Sequence, residues 1–190
     1  MADDSLAPEI VEPLLRGRFG RSYRYFEQCE STQRELPVDA PEGAVAVAEE
    51  QTAGRGRLGR SWSAPPRTSV LVSINLRPLV DSARLPELSL VAGAAAAEAI
   101  AAETGLDPEV RFPNDLLIDG RKVAGILAQA RDDRVVLGIG INANIPPAQL
   151  PEPAATSLLT EAGTPVDRAR LLAALLERLE AHYDRWNRRA

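Results

Sequence analysis

The chain has 190 residues, of which 45% are apolar and 26% are charged, a balance that suffices for one domain with a sizeable core. Its net charge of −5 argues against a dedicated nucleic-acid binder, and its single cysteine, Cys29, excludes an intramolecular disulfide framework. The first residues lack the pattern of a secretion signal, and the alanine-rich run 88–102 contains Glu98 and is too short and too polar to span a bilayer. We therefore expect a cytoplasmic protein with no membrane partner.

The first half of the chain predicts short strands separated by loops. Strands are expected over residues 23–26, 44–48 and 69–76. A short docking helix is expected after Pro8. Ser31 or Thr32 is expected to cap a second short helix, which ends before Pro37.

The second half predicts two long helices that flank an antiparallel meander. Helices are expected over residues 85–103 and 167–187, and strands over 110–118, 122–129 and 134–141. The first of these strands is expected to pass through Pro113 and to end at the tight turn Asp119-Gly120. The order predicts an α+β fold, a mixed and largely antiparallel sheet with helices packed on one face. We expect one domain over residues 1–190.

A glycine- and arginine-rich segment, Gln51 to Trp62, follows the second predicted strand. Residues 51–67 hold four arginines and no acid, although the chain as a whole is acidic. Arginine presents a planar fork of donors to carboxylates and phosphates, and glycine lets the backbone approach a ligand closely. The segment therefore indicates a site for an anionic small molecule, and a mobile surface loop is the simpler alternative.

Other known sites fit this segment poorly. The spacing Gly54-x-Gly56-x-x-Gly59 matches the dinucleotide fingerprint, but that fingerprint requires a helix directly after the glycines, and here two prolines and a strand follow. A kinase site needs a His-Arg-Asp loop, and the only histidine is His182. A Ser/His/Asp triad fails for the same reason. No Cys/His cluster has metal-ligand spacing, so we predict no metal site.

Three polar residues outside this segment, Lys122, Asn114 and Asn142, are also candidates for a site. Lys122 is the only lysine of the chain and follows a tight turn, beside small residues that would let a ligand approach. Its ammonium could hold a carboxylate and the phosphate bonded to it, although an exposed strand-end lysine is the simpler interpretation. Asn114 and Asn142 would by default be turn residues.

Taken in this order, the motifs resemble the catalytic domain of biotin protein ligases. The resemblance is carried by Glu30-Ser31-Thr32-Gln33, Gln51 to Trp62, Arg111-Phe112-Pro113-Asn114-Asp115-Leu116, Gly120-Arg121-Lys122-Val123-Ala124-Gly125-Ile126-Leu127, and Gly138-Ile139-Gly140-Ile141-Asn142-Ala143-Asn144. It covers most of the chain, from residue 20 to residue 187. It implies the fold of the biotin/lipoate ligases, which is similar to that of class II synthetases.

The resemblance also implies a reaction and a set of site residues. The expected reaction activates biotin with ATP, in the presence of Mg²⁺, to biotinoyl-5′-AMP, and then transfers biotin to a lysine of a biotin carboxyl carrier protein. The implied catalytic residues are Lys122, Arg57 and Arg55. The implied biotin-binding residues are Ser31, Thr32, Gln33, Gln51, Gly54, Arg55, Gly56, Arg57, Lys122 and Gly125. The implied ATP-binding residues are Arg57, Arg60, Trp62, Asn114, Lys122 and Asn142.

The sequence departs from the family pattern in a few places. Arg111 and Phe112 stand where lysine and tryptophan are common, and Gln129 stands where an acid is usual. Because the chain ends at Ala190, we expect the small C-terminal β-barrel of the family to be absent, and we expect no N-terminal DNA-binding domain and no nucleic-acid partner. A homodimer is compatible with the resemblance.

Three alternatives stay open at this point. The first is a lipoate or octanoyl ligase or transferase of the same fold. The second is a module that binds biotin without catalysis. The third is nucleic-acid binding through the arginines, against which the net charge counts.

Overall fold

A computed structural model describes residues 4–188 of the chain. Along these residues nine strands form: β1 (Tyr23–Phe26), β2 (Val45–Ala48), β3 (Gly54–Arg55), β4 (Ser61–Trp62), β5 (Ser69–Leu76), β6 (Glu109–Arg111), β7 (Asp115–Ile118), β8 (Arg121–Arg131) and β9 (Arg134–Asn142). The α-helices are α1 (Pro8–Val11), α2 (Leu88–Thr104), α3 (Leu158–Ala162) and α4 (Arg168–Asn187).

Seven of the strands form one sheet in the order β1-β2-β5-β9-β8-β7-β6. The pair β1–β2 is parallel, and every other neighbouring pair in this sheet is antiparallel. The strand β5, which lies between β2 and β9, is buried along its whole length, which explains its continuous run of apolar and small polar residues. The remaining strands, β3 and β4, pair with each other and form a separate flap above the sheet. The predicted fold class, α+β with a mixed and largely antiparallel sheet, is confirmed.

The two long helices pack on the sheet, as predicted, and they also pack on each other. The alanines of α2 are small enough to let the two helices approach closely, and Gly105 ends α2 with φ of 73°, in the left-handed region that favours glycine. Asp167 caps α4 by accepting from the Arg170 amide, and the leucines of α4 are buried against the core.

One expectation about α2 was wrong. A 3₁₀ turn, Ser82–Glu87, extends this helix to a stretch of 23 residues, Ser82–Thr104, which by length and composition alone would suffice to cross a membrane. In the structure this stretch packs against α4 and the sheet, because its small side chains fit a tight helix–helix contact.

The course of the chain around Pro113 was also predicted wrongly. Residues 110–118 do not form one strand, since β6 turns back and pairs antiparallel with β7, with Arg111 opposite Asp115. Proline has no amide hydrogen for a strand ladder and asparagine favours turns, so the Phe112–Asn114 step reverses the chain. The meander therefore has four strands instead of three.

A buried ion cluster ties the N-terminal segment to the core. Arg168, 1% exposed, donates to a carboxylate oxygen of Glu49 at 2.5 Å and to Asp4 at 3.0 Å. The second Glu49 oxygen accepts from the Leu6 amide at 2.8 Å. Because a buried charge is costly unless it is paired and hydrogen-bonded, these contacts hold the segment before α1 against β2 and α4.

Candidate active site

The floor of a deep cavity is formed by bare backbone at the centre of the sheet. Gly125 of β8 lies directly opposite Gly140 of β9, and Gly138 lies two residues before Gly140 on the same face. A Cβ atom at Gly138 would come within 2.4 Å of Gln33 Nε2, and one at Gly140 within 2.6 Å of the Trp62 ring. The three glycines therefore leave space for side chains and a ligand to lie directly on the strands.

The cavity has a volume of about 430 Å³ and gathers residues that are far apart in the sequence. The predicted site residues that line it are Ser31, Thr32, Gln33, Gln51, Arg55, Gly56, Arg57, Arg60, Trp62, Asn114, Lys122, Gly125 and Asn142. Gly54 is buried and is not among the lining residues. Its Cα faces the Trp62 carbonyl, since a Cβ there would lie 2.4 Å from that oxygen. Gly54 therefore allows the close pairing of β3 with β4.

Three side-chain amides are anchored to backbone carbonyls in the same way. Gln33 donates to Leu127 O at 2.8 Å, Asn114 to Ile126 O at 3.0 Å and Asn142 to Thr156 O at 3.0 Å. A carbonyl can only accept, so each amide must turn its NH₂ group toward that carbonyl. Each side-chain oxygen is thereby left to face elsewhere.

Four buried polar atoms of cavity-lining residues have no hydrogen-bond partner within the described chain. They are Ser31 Oγ, Gln33 Oε1, Asn142 Oδ1 and Trp62 Nε1. An unsatisfied buried polar group costs about 1–3 kcal/mol, so such a concentration at one cavity indicates partners supplied by a ligand. Three of the four residues lie in sequence along β9. Gln33 lies over Gly138, Trp62 lies over Gly140, and Asn142 is itself the residue two positions after Gly140.

The Glu30-Ser31-Thr32-Gln33 segment forms a 3₁₀ turn, Thr32–Arg34, as expected, but its cap differs from the prediction. The Ser31 side chain makes no capping bond. Thr32 is held instead by Gln51, whose Oε1 accepts from Thr32 N at 2.8 Å and from Thr32 Oγ1 at 3.0 Å. In this structure the Gln51 oxygen therefore positions the turn, and Ser31 keeps its hydroxyl free for the cavity.

Lys122 lies at the start of β8 and is one of the residues that line the cavity. Its Nζ forms an ion pair with Asp115 Oδ1 at 2.8 Å and lies 5.7 Å from the centre of the Trp62 ring. Its backbone is fixed on both sides, since Lys122 N donates to Ala154 O and Thr156 N donates to Lys122 O, both at 2.8 Å. A rigid backbone and an acidic neighbour hold the positive charge at one place.

The arginine segment forms the flap β3–β4 and its connecting turn. Arg55 and Arg60 are exposed and Arg57 is partly buried, and along residues 4–188 none of the three forms an ion pair with an acid. Arg67, counted above with the other arginines, instead pairs with Glu27 at 2.7 Å and does not line the cavity. Among the described residues, the cavity lining therefore carries three arginines without an ion-pair partner against a single carboxylate, Glu152, and this excess of positive charge favours an anionic ligand.

Comparison with known proteins identifies the family. Residues 25–145 match the family described as the biotin/lipoate A/B protein ligase family. The chain belongs to this family. It is 39% identical to the bifunctional ligase/repressor BirA of Bacillus subtilis over 86% of its own length and 54% of that protein. It is also 39% identical to the biotin–[acetyl-CoA-carboxylase] ligase of Mycobacterium tuberculosis, over 96% of this chain and 74% of that one.

A solved structure of the family has the same fold. The biotin protein ligase from Aquifex aeolicus in complex with biotin and ATP is 30% identical, with a TM-score of 0.80, over 90% of this chain and 73% of that chain. The chain spans about half the length of the Bacillus subtilis relative that it matches.

Several residues of the site were not predicted as ligand-contacting. Gly138 and Gly140 were part of the motif, yet their role as the cavity floor was missed, although two glycines alternating in an apolar strand are a known sign of close approach. Asp115, also within a motif, was not recognised as the partner of Lys122. Among residues 4–188 no group of three or more His, Cys, Asp or Glu side chains could hold a metal ion.

Proposed function

We propose that this domain activates biotin with ATP to biotinoyl-5′-AMP and transfers the biotinoyl group to a lysine of a biotin carboxyl carrier protein. Belonging to the biotin/lipoate ligase family supports an acid-activating site. The dimensions support two ligands in a row, because Gly138 and Asn142 are four residues apart on β9, about 13 Å along an extended strand.

The observation that favours biotin over lipoate as the substrate is the buried, unpartnered pair Ser31 Oγ and Gln33 Oε1. The ureido ring of biotin has two N–H donors and a carbonyl, which would satisfy both groups. The dithiolane of lipoate has no N–H donor and would leave the Gln33 oxygen unpaired. A site built around polar partners rejects an analogue that lacks them, so biotin is the better substrate.

The chemistry requires positive charge between two anions. A carboxylate oxygen of biotin attacks the α-phosphorus of ATP, the new bond is the acyl–phosphate bond, and the α–β phosphoanhydride bond breaks to release pyrophosphate. Lys122 would lie beside both reactants and reduce their repulsion, while Arg57 and the other flap arginines would close over the phosphates. Mg²⁺ would be held by the triphosphate oxygens.

The second step needs no further charged group. The unprotonated amine of the carrier lysine attacks the acyl carbon and the amide bond forms, while AMP leaves with the electron pair of the broken acyl C–O bond and the proton lost by the amine nitrogen passes to solvent. Since a mixed anhydride hydrolyses readily, the flap must exclude water until the carrier arrives. The carrier partner and a cytoplasmic location belong to this proposal, as does a homodimer, for which sedimentation with bound adenylate is the test.

Pyrophosphate release tests the proposal directly. We expect wild-type protein to release pyrophosphate with biotin and ATP but not with lipoate and ATP, and we expect Lys122→Ala to lose at least about 100-fold in rate. Mass spectrometry of a carrier domain then tests transfer. Lipoylation without biotinylation would favour the lipoate alternative, and biotin binding without pyrophosphate release would favour the non-catalytic module. Binding of nucleic acid that weakens steeply with salt would favour the third alternative.

A further inference from the structure

The segment that follows β9 returns to the cavity and forms a clamp on two of its residues. We propose that Thr156, Glu161 and Arg121 are positioning residues that fix the side-chain amide of Asn142 and thereby make the site selective for a purine with a 6-amino group. This inference rests on the proposed function and on the ATP-binding role that the family resemblance implies for Asn142.

The clamp begins with the backbone of residues 154–156, which lies beside the start of β8 like a short extra strand. Lys122 N donates to Ala154 O, and Thr156 N donates to Lys122 O, both at 2.8 Å. This segment therefore cannot shift without displacing Lys122 as well.

The side chains of Thr156, Glu161 and Arg121 also hold the clamp in place. Thr156 is fully buried, and its hydroxyl donates to Glu161 Oε1, which also accepts from Arg121 at 2.7 Å. The Glu161 side chain is only 9% exposed, so its charge needs both donors. Glu161 sits in the helix α3, whose N-terminus is capped separately by Ser157, which accepts from Thr160 N. The Thr156–Glu161 contact and the cap are thus made by different side chains of the same segment.

The Thr156 carbonyl determines which way the Asn142 amide faces. Asn142 is 2% exposed, and its Nδ2 donates to Thr156 O at 3.0 Å. Because a carbonyl cannot donate, the reverse orientation would place two acceptors in contact and is disfavoured. Asn142 Oδ1 therefore stays oriented as an acceptor, buried and without a partner in the described chain, in a residue that lines the cavity.

A fixed acceptor distinguishes purine bases at position 6. The 6-amino group of adenine is a donor and would satisfy Asn142 Oδ1, whereas the 6-oxo group of hypoxanthine is an acceptor and would leave it unsatisfied. If the clamp is loosened, the amide can rotate and offer its NH₂ group to a 6-oxo base. Selectivity then falls without any change to the residue that contacts the base.

The test measures dissociation constants of ATP and ITP by calorimetry, using the full chain. We expect wild type to prefer ATP, and we expect Glu161→Ala to reduce the ITP-to-ATP ratio of dissociation constants about tenfold or more. Glu161→Gln keeps an acceptor for the Thr156 hydroxyl and should retain most of the ratio. Biotin affinity should stay within about twofold, because Gln33 is held by other contacts.

Ser157→Ala is the matched control, because it weakens the same segment by removing the helix cap and the bond to Ile145 O but keeps the Thr156–Glu161 contact. We expect it to lower the melting temperature and to leave the ATP preference unchanged. An unchanged ratio in Glu161→Ala, or an equal loss in Ser157→Ala, would overturn the inference. Because binding is measured apart from turnover, a wild type that prefers ATP but releases no pyrophosphate would refute the proposed function and leave this inference standing.

Discussion

Adding one methyl group to the cavity floor should weaken biotin binding selectively. In Gly138→Ala the new Cβ would lie 2.4 Å from Gln33 Nε2 and 3.2 Å from its Cδ. These contacts are too short, so the end of the Gln33 side chain must move. That movement breaks its 2.8 Å bond to Leu127 O and withdraws Oε1 from the position proposed for a ureido N–H.

The size of the loss follows from these contacts. One hydrogen bond to the ligand, together with one poorly satisfied buried amide, is worth about 1–3 kcal/mol, which corresponds to about a 5- to 150-fold rise in the dissociation constant of biotin. The unfolding free energy should fall by only about 0.5–1.5 kcal/mol, the value of the broken Gln33–Leu127 bond, since Gly138 lies in a strand where alanine is allowed and the displaced group is the end of a flexible side chain.

Calorimetry with biotin and with ATP, together with a melting curve, checks this prediction. ATP affinity should stay within about twofold, because Asn142 lies four residues further along β9. The double variant Gly138→Ala/Gln33→Ala is the control, since Gln33→Ala removes the atoms that clash and the two losses should not add. Additive losses, or biotin affinity equal to that of wild type, would refute the reasoning.

Three further predictions concern the flap, the cysteine and the ion cluster. Arg57→Ala should lower the rate of pyrophosphate release by about 10-fold or more, whereas Arg67→Ala, which removes the same charge outside the cavity, should leave it within about twofold. Burial, with a smaller contribution from a nearby acid, raises the pKa of Cys29 to about 11. At pH 8 the folded protein should therefore react with iodoacetamide about 100-fold more slowly than the unfolded chain. Arg168→Met should leave Glu49 buried and unpaired, and should cost about 3–5 kcal/mol of unfolding free energy.

Each of these three predictions has its own counter-result. Equal losses in Arg57→Ala and Arg67→Ala would mean that overall charge matters and position does not. Rapid alkylation of folded Cys29 at pH 8 would show that its thiol is not protected. The raised pKa of Cys29 also makes the unfolding free energy depend on pH. The thiol of the unfolded chain loses its proton at lower pH than the folded one, so the unfolding free energy should decline as the pH rises from about 9 toward 11. For Arg168→Met, a melting temperature lower by less than about 3 °C would contradict the role given to the cluster.

The elements that follow a simple local pattern were predictable from the sequence. The spaced leucines of the last helix bury one face, and its cap Asp167 lies just before them, so α4 was found almost to the residue. The long strand β5 and the return strands β8 and β9 were likewise found from β-branched residues between turns. These signals lie within a few consecutive residues.

The parts that failed depend on contacts between distant segments. At Pro113 the sequence predicts an interruption of the strand. Whether the chain only bends there or reverses its direction depends on which strand β6 pairs with, and no local sequence pattern predicts that pairing. Ser31 or Thr32 was expected to cap a short helix, yet Gln51, twenty residues after Ser31, holds the turn through Thr32 and leaves the Ser31 hydroxyl to the cavity. Most of the predicted site residues do line one cavity, but which atoms of each are already satisfied could be learned only from the structure.

The single lysine of this chain has a consequence for the chemistry proposed. A biotinoyl adenylate acylates amines, so an enzyme that makes it risks labelling its own surface. Of the 22 Lys and Arg residues only Lys122 carries an ε-amine, and that amine is ion-paired with Asp115 inside the cavity. Guanidinium groups stay protonated and are poor nucleophiles. On the proposed chemistry, adenylate that escapes the flap would therefore meet no lysine on the outer surface of this chain.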